Sequence, residues 1–189
     1  MRLSRLKHLL LGLSAAATLA AALPAAPAQA ATEMEELAAR LQPGDFTTRV
    51  EKLIRDGRAA DALELADLGL ARNARNVQLR FERTVALERL GRTEDAARDL
   101  RSMIAQYPEL PEPYNNLAAI EAGLGNYEEA LTLLKDVLRI NPNFALARKN
   151  LGDVYIAFAL ESYESAAPAF EKSDEVQQRL RTLRRLAGQ

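Results

Sequence analysis

Cysteine and tryptophan are absent from the 189 residues, and the single histidine is His8. Without thiols the chain forms no disulfide, offers no thiolate nucleophile and carries no lipid on a cysteine. Zinc sites commonly draw on Cys or His, and general bases poised near neutral pH are most often His. A chain whose only imidazole sits at position 8 therefore lacks the usual residue types for either task, and no metal and no cofactor are expected. Charge of one sign is also missing. The 25 basic and 26 acidic residues nearly cancel, which argues against broad binding to phosphate backbones or anionic lipid. No run shows the alternating, β-branched pattern of strands. There is no phosphate-cradling Gly loop, no GxSxG and no metal-spaced cluster.

The one uncharged apolar run lies near the start, from Leu9 to Leu23, behind Arg2, Arg5 and Lys7. Pro24 and Pro27 follow, and then Ala28-Gln29-Ala30. A positive start, a short apolar stretch and a small-x-small site predict a secretory signal over residues 1–30, cleaved after Ala30. A run of 15 residues falls short of the roughly 20 that a spanning helix needs. The protein is therefore expected to be periplasmic or secreted, without stable membrane insertion after cleavage. Retention of the signal as an inner-membrane anchor is the alternative. Three basic residues leave with the signal, so the remainder has a net charge of −4.

From residue 33 onward, Ala, Leu, Glu and Arg dominate, as in strong helix formers, and Gly and Pro punctuate periodic segments. Helices are predicted over Glu33–Leu41, Phe46–Arg55 and Ala59–Arg72, with new starts at Val77, Pro111 and Ala145. Asp174–Leu186 reads as an amphipathic helix, with Val176, Leu180, Leu183 and Leu186 in one stripe and Arg179, Arg181 and Arg185 away from it. A kink or fresh start is expected at Pro168. A period of 34 residues runs through the chain: Gly57, Gly91 and Gly125 keep step with Ala62, Ala96 and Ala130, and Pro108 keeps step with Pro142. Gly supplies the positive φ that ends one helix, and a methyl group one turn into the next lets two backbones approach.

A helix–turn–helix repeated every 34 residues resembles the tetratricopeptide repeat. Residues 111–144 carry the fullest copy, with Tyr114, Leu117, Ala118, Gly125, Tyr127, Ala130, Leu134 and Pro142. Residues 77–110 match in their second half through Gly91, Ala96, Leu100 and Pro108, whereas Arg80 and Arg83 stand at usually apolar places. Residues 43–76 are degenerate, with Ala74 where the closing Pro belongs. Residues 145–173 begin a divergent fourth copy with Leu151, Gly152 and Tyr155, and "YESAAPAF" echoes "YEEALTLL" after two inserted residues. Residues 31–42 form a lead-in helix, and residues 174–189 a C-terminal capping helix and tail. The resemblance implies an all-α, right-handed α-solenoid of stacked antiparallel helix pairs. It also implies a concave groove lined by the first helix of each pair and holding a protein or peptide partner. Carried onto this sequence, the groove falls on Phe81, Val85 and Glu88, on Asn115, Ala119 and Ala122, and on Lys149, Asp153 and Ile156. Some relatives clamp a terminal carboxylate. Here only Asn116 and Lys149 resemble fragments of that clamp, with Phe81, Val85 and Leu146 at its other places.

Other chemistries fit less well. The carboxylates of "RTEDA" and "NYEEA" stand at helix starts, where acidic residues favour the helix dipole. Arg179 to Arg185 reads as a solvated face. The sequence thus predicts a non-catalytic adaptor or scaffold for a protein or peptide, with no nucleic-acid role, in envelope assembly or maintenance. A carboxylate-based envelope enzyme is a distant alternative.

Overall fold

The computed structural model describes residues 31–188, and the expected leader with its cleavage point lies outside them. Thr32 opens the first helix, α1 (Glu33–Arg40). Its hydroxyl accepts from the Glu35 amide while the Glu35 carboxylate accepts from the Thr32 amide, a reciprocal capping box. There follow α2 (Asp45–Arg55), α3 (Ala59–Arg72), α4 (Val77–Arg89), α5 (Thr93–Gln106), α6 (Pro111–Gly123), α7 (Tyr127–Ile140), α8 (Ala145–Ala166), a 3-10 turn (Ala167–Phe170) and α9 (Asp174–Leu186). No strand occurs among the described residues. The chain is all-α, with its helices stacked pairwise in the manner of helical repeats.

The turn within each of the first three pairs is the same object. Gly57, Gly91 and Gly125 have φ of 77°, 71° and 83°, a region that side-chain-bearing residues avoid. The residue after each glycine donates its amide back across the turn, Arg58 to Leu53, Arg92 to Leu87 and Asn126 to Glu121, at 2.9, 2.9 and 2.8 Å. One turn into the next helix, Ala62, Ala96 and Ala130 are each 0% exposed, as close helix crossing requires. A different glycine serves packing alone. A Cβ on Gly69 would come within 2.6 Å of Leu79 and Phe46, so α3 meets α2 and α4 there on bare backbone.

The helices lie in two layers. The first helices α2 and α4 touch, as do α6 and α8, whereas α4 and α6, like α3, α5 and α7, share at most marginal contact. The layer of α2, α4, α6 and α8 is the one on which the resemblance places the groove. Phe46, Val50, Leu65, Leu79, Leu87 and Leu100 fill the interior of α2 to α5, and Leu134, Val137 and Val154 that of α7 and α8. Ile104 and Leu133 pack against both groups and join them into a continuous core.

Two regions depart from the repeat pattern. Arg80 and Arg83 stand in register with Tyr114 and Leu117 of the fullest copy, and the structure satisfies them with polar partners. Arg83 reaches Asp67 of α3 at 2.5 Å and Asp99 of α5, while Arg80 reaches Gln106 at 2.9 Å. Residues 145–173, read from sequence as a fourth helix pair, instead hold one continuous helix of 22 residues. The glycine due 34 residues after Gly125 is Ala159, so nothing supplies a positive φ and α8 runs on. The helix gives way to the 3-10 turn that contains Pro168, and Ser173 then caps α9 by accepting from the Val176 amide. In α9, Leu180 is buried, and Val176 and Leu183 are half-buried. Leu186, expected in the same stripe, is 58% exposed because it lies at the last turn.

Candidate functional site

The candidate groove lies on α4, α6 and α8. On α4, Phe81, Val85 and Glu88 recur at four and then three residues, which places them on one side of the helix. All three are half-buried, and Phe81 packs against the core. On α6, Ala119 is exposed and Ala122 is half-buried against the core. Asn115 is not an open groove residue, since it is only 3% exposed. Its oxygen accepts from Asn150 of α8 at 3.0 Å and its nitrogen donates to Asn116 at 3.3 Å. Asn115 and Asn150 therefore stitch two inner helices together. On α8, Lys149 and Asp153 are exposed and paired with each other at 2.6 Å, and Ile156 is half-buried. The structure thus leaves Ala119, Lys149 and Asp153 open to a partner, with Phe81, Val85, Ala122 and Ile156 partly available. Asn116, also half-buried, is occupied by Asn115, and Leu146 is 51% exposed.

A cavity of about 310 Å³ opens where α4 and α6 begin, walled by Val77, Gln78, Phe81, Met103, Leu110, Glu112 and Pro113. Gln78 donates to Glu82 at 2.9 Å beside it, and Glu82 is 9% exposed. Burial raises the Glu82 carboxyl above the usual range, and the nearby Glu51 charge adds to that against the Gln78 bond and Arg55. Burial likewise raises Glu88, with only the Arg89 charge opposing it. One Glu88 oxygen, Oε1, is out of solvent and has no hydrogen-bond partner. Sequence reading missed Glu82, because an acidic residue on a helix reads as solvated unless the neighbouring helix is known to cover it, and the exposed Glu112 gave no signal of the cavity beside it.

A second cavity of about 540 Å³ lies on the edge of the stack, between the α4–α5 turn and the end of α6. Its charges answer one another. Arg92 pairs with Asp95 at 2.6 Å, and the 1%-exposed Glu121 accepts from Arg101 and from Asn126. Here the sequence did hold a signal, since Glu121 stands in register with Leu87 and Tyr155. The paired carboxylates of Glu94 and Asp95, and of Glu128 and Glu129, occupy the first turns of α5 and α7. Among the described residues no group of acidic or metal-ligating side chains is arranged to hold a metal ion, and no helix is long and apolar enough to cross a membrane.

Antiparallel helix pairs and glycine turns at a fixed interval define a helical-repeat fold. Residues 87–149 match the family model described as "Tetratricopeptide repeat". Solved structures agree in fold. TTC0263, a thermophilic TPR protein of Thermus thermophilus, is 24% identical over 78% of this chain and 84% of its own, with a TM-score of 0.58. A tetratricopeptide repeat protein from Parabacteroides merdae is 20% identical over 81% of this chain and 62% of its own, with a TM-score of 0.57. The second TPR domain of human RPAP3, solved in complex with the HSP70 peptide SGPTIEEVD, is 20% identical over 60% of this chain and 98% of its own, with a TM-score of 0.54.

Proposed function

We propose that this protein is a non-catalytic tetratricopeptide-repeat scaffold that holds a protein or peptide on its concave face. We further propose that it does so in the periplasm or outside the cell, in envelope assembly or maintenance. The observation that carries the binding role is the inner face itself. It combines open positions on α6 and α8 at Ala119, Lys149 and Asp153 with an apolar cavity at the start of α4 and α6. Open apolar and polar groups on rigid neighbouring helices suit an extended peptide or an amphipathic helix. The human RPAP3 domain of the same fold, with its HSP70 peptide, supports a peptide as the kind of occupant. The envelope location rests on the sequence of residues 1–30 alone.

A photocrosslinking residue in place of Ala119, in living cells, tests the binding role against the same residue in place of the exposed Lys135 of α7. The inner position is expected to capture a protein that the outer position does not. Equal capture from both, or from neither, refutes the groove. Mass spectrometry of the protein recovered from the envelope fraction tests the location. A chain beginning at Ala31 supports export and rules out an anchor, whereas an intact start with the protein in the inner membrane favours the anchored alternative.

A further inference from the structure

Resting on that groove, we propose that its partner is a basic peptide segment, with an apolar side chain seated in the cavity walled by Phe81, Leu110 and Pro113 and with Arg or Lys side chains answering Glu82, Glu112 and Glu88. The argument is one of charge complementarity on the inner face. Two of its carboxylates already have cations: Glu51 has Arg55 at 3.7 Å, and Asp153 has Lys149 at 2.6 Å. Glu82, Glu88 and Glu112 have no ion pair among the described residues, and Arg55 and Arg89 act on the first two only through space. Other partly covered charges are paired, as Arg83 is between two aspartates and Glu121 is with Arg101.

A carboxylate that is drawn out of water without a donor destabilises the fold, and a cation brought by a partner removes that cost. Glu88 is the clearest case, since its Oε1 is out of solvent and unpartnered. An acidic segment at the same place would leave like charges facing each other, so the arrangement also discriminates against that class. Spacing gives the shape of the ligand. Phe81 and Glu88 are seven residues apart on one helix face, about 10 Å along the axis. An extended peptide covers that in roughly three residues. The motif is therefore an apolar residue with Arg or Lys about three positions away.

The test uses the ¹⁵N-labelled protein purified from its host and two acetylated, amidated heptapeptides, Arg-Gly-Gly-Leu-Gly-Gly-Arg and Glu-Gly-Gly-Leu-Gly-Gly-Glu. The basic peptide is expected to shift amides of α4 and the start of α6 and to bind about tenfold or more tightly than the acidic one. Glu88→Gln and Glu112→Gln are each expected to weaken the basic peptide while the spectrum stays that of the folded protein. Equal affinity for the two peptides, or unchanged basic-peptide affinity in both variants, overturns the proposal. If neither peptide shifts inner-face amides while crosslinking from Ala119 still captures a protein, the charge assignment fails and the groove stands. If that crosslinking fails as well, both fall.

Discussion

At the residue scale, the fold turns on groups with no room to change. Ala130 is 0% exposed where α7 crosses its neighbours, and indole there must displace helix backbone rather than a flexible side chain. Ala130→Trp is expected to lower stability by about 3 kcal/mol or more, as measured by urea unfolding. Glu88 works in the opposite direction. Its carboxyl is raised by burial, so the folded protein holds that proton more tightly than the unfolded chain does. The stability linked to this group is fully present below the ordinary carboxylate pKa and is lost as pH rises through the raised folded value. Glu88→Gln keeps the shape and removes the charge. It is expected to stabilise the protein by about 1 kcal/mol at pH 8, with the gain shrinking to nothing in mild acid. Thermal melts of both proteins across that pH range check it, and an equal gain at every pH would contradict the assignment.

At the element scale, α8 is the instructive case. The repeat pattern read there from "ARKNLGDVY" and "YESAAPAF" is present in the letters, yet it produces a single helix. A helix pair needs a residue that accepts positive φ between its members, and Ala159 resists it by roughly 1–2 kcal/mol. The apolar content of Ala157, Phe158, Ala159 and Leu160 then favours continuation. The pairing partner of α8 becomes α9, which lies against its second half. Tyr163 accepts from Arg179 at 2.6 Å, and Glu164 accepts from Arg184. Proline inside α8 removes a backbone bond and clashes with the preceding turn, costing about 3 kcal/mol. Ala159→Pro is expected to loosen the second half of α8 and α9 while α2 to α7 stay folded. Hydrogen exchange reads this directly as lost protection confined to residues after about 155.

At the scale of the whole molecule, stacking converts many small local agreements into one continuous interior. Each helix pair buries its stripe only against neighbours, and Ile104 and Leu133 carry the core from one group of helices to the next. A partner that spans several repeats would therefore read residues far apart in sequence, such as Phe81 on α4 and Lys149 on α8.

The sequence by itself determined α1 to α3 to within a residue or two, the starts of α4, α6 and α8, the limits of α9 and the turns at Gly57, Gly91 and Gly125, because these follow from local backbone preferences and an apolar period, whereas it divided α8 into a pair. The resemblance it carries placed the expected groove on α4, α6 and α8. Only the tertiary structure decided that Asn115 is a buried strut and that Arg83 is satisfied between Asp67 and Asp99. It alone showed that Glu82 and Glu88 lose water without gaining a cation. The physical reason is range. A turn or a helix stripe is settled by residues within a few positions, whereas the solvation of a side chain is settled by whichever helix comes to lie over it.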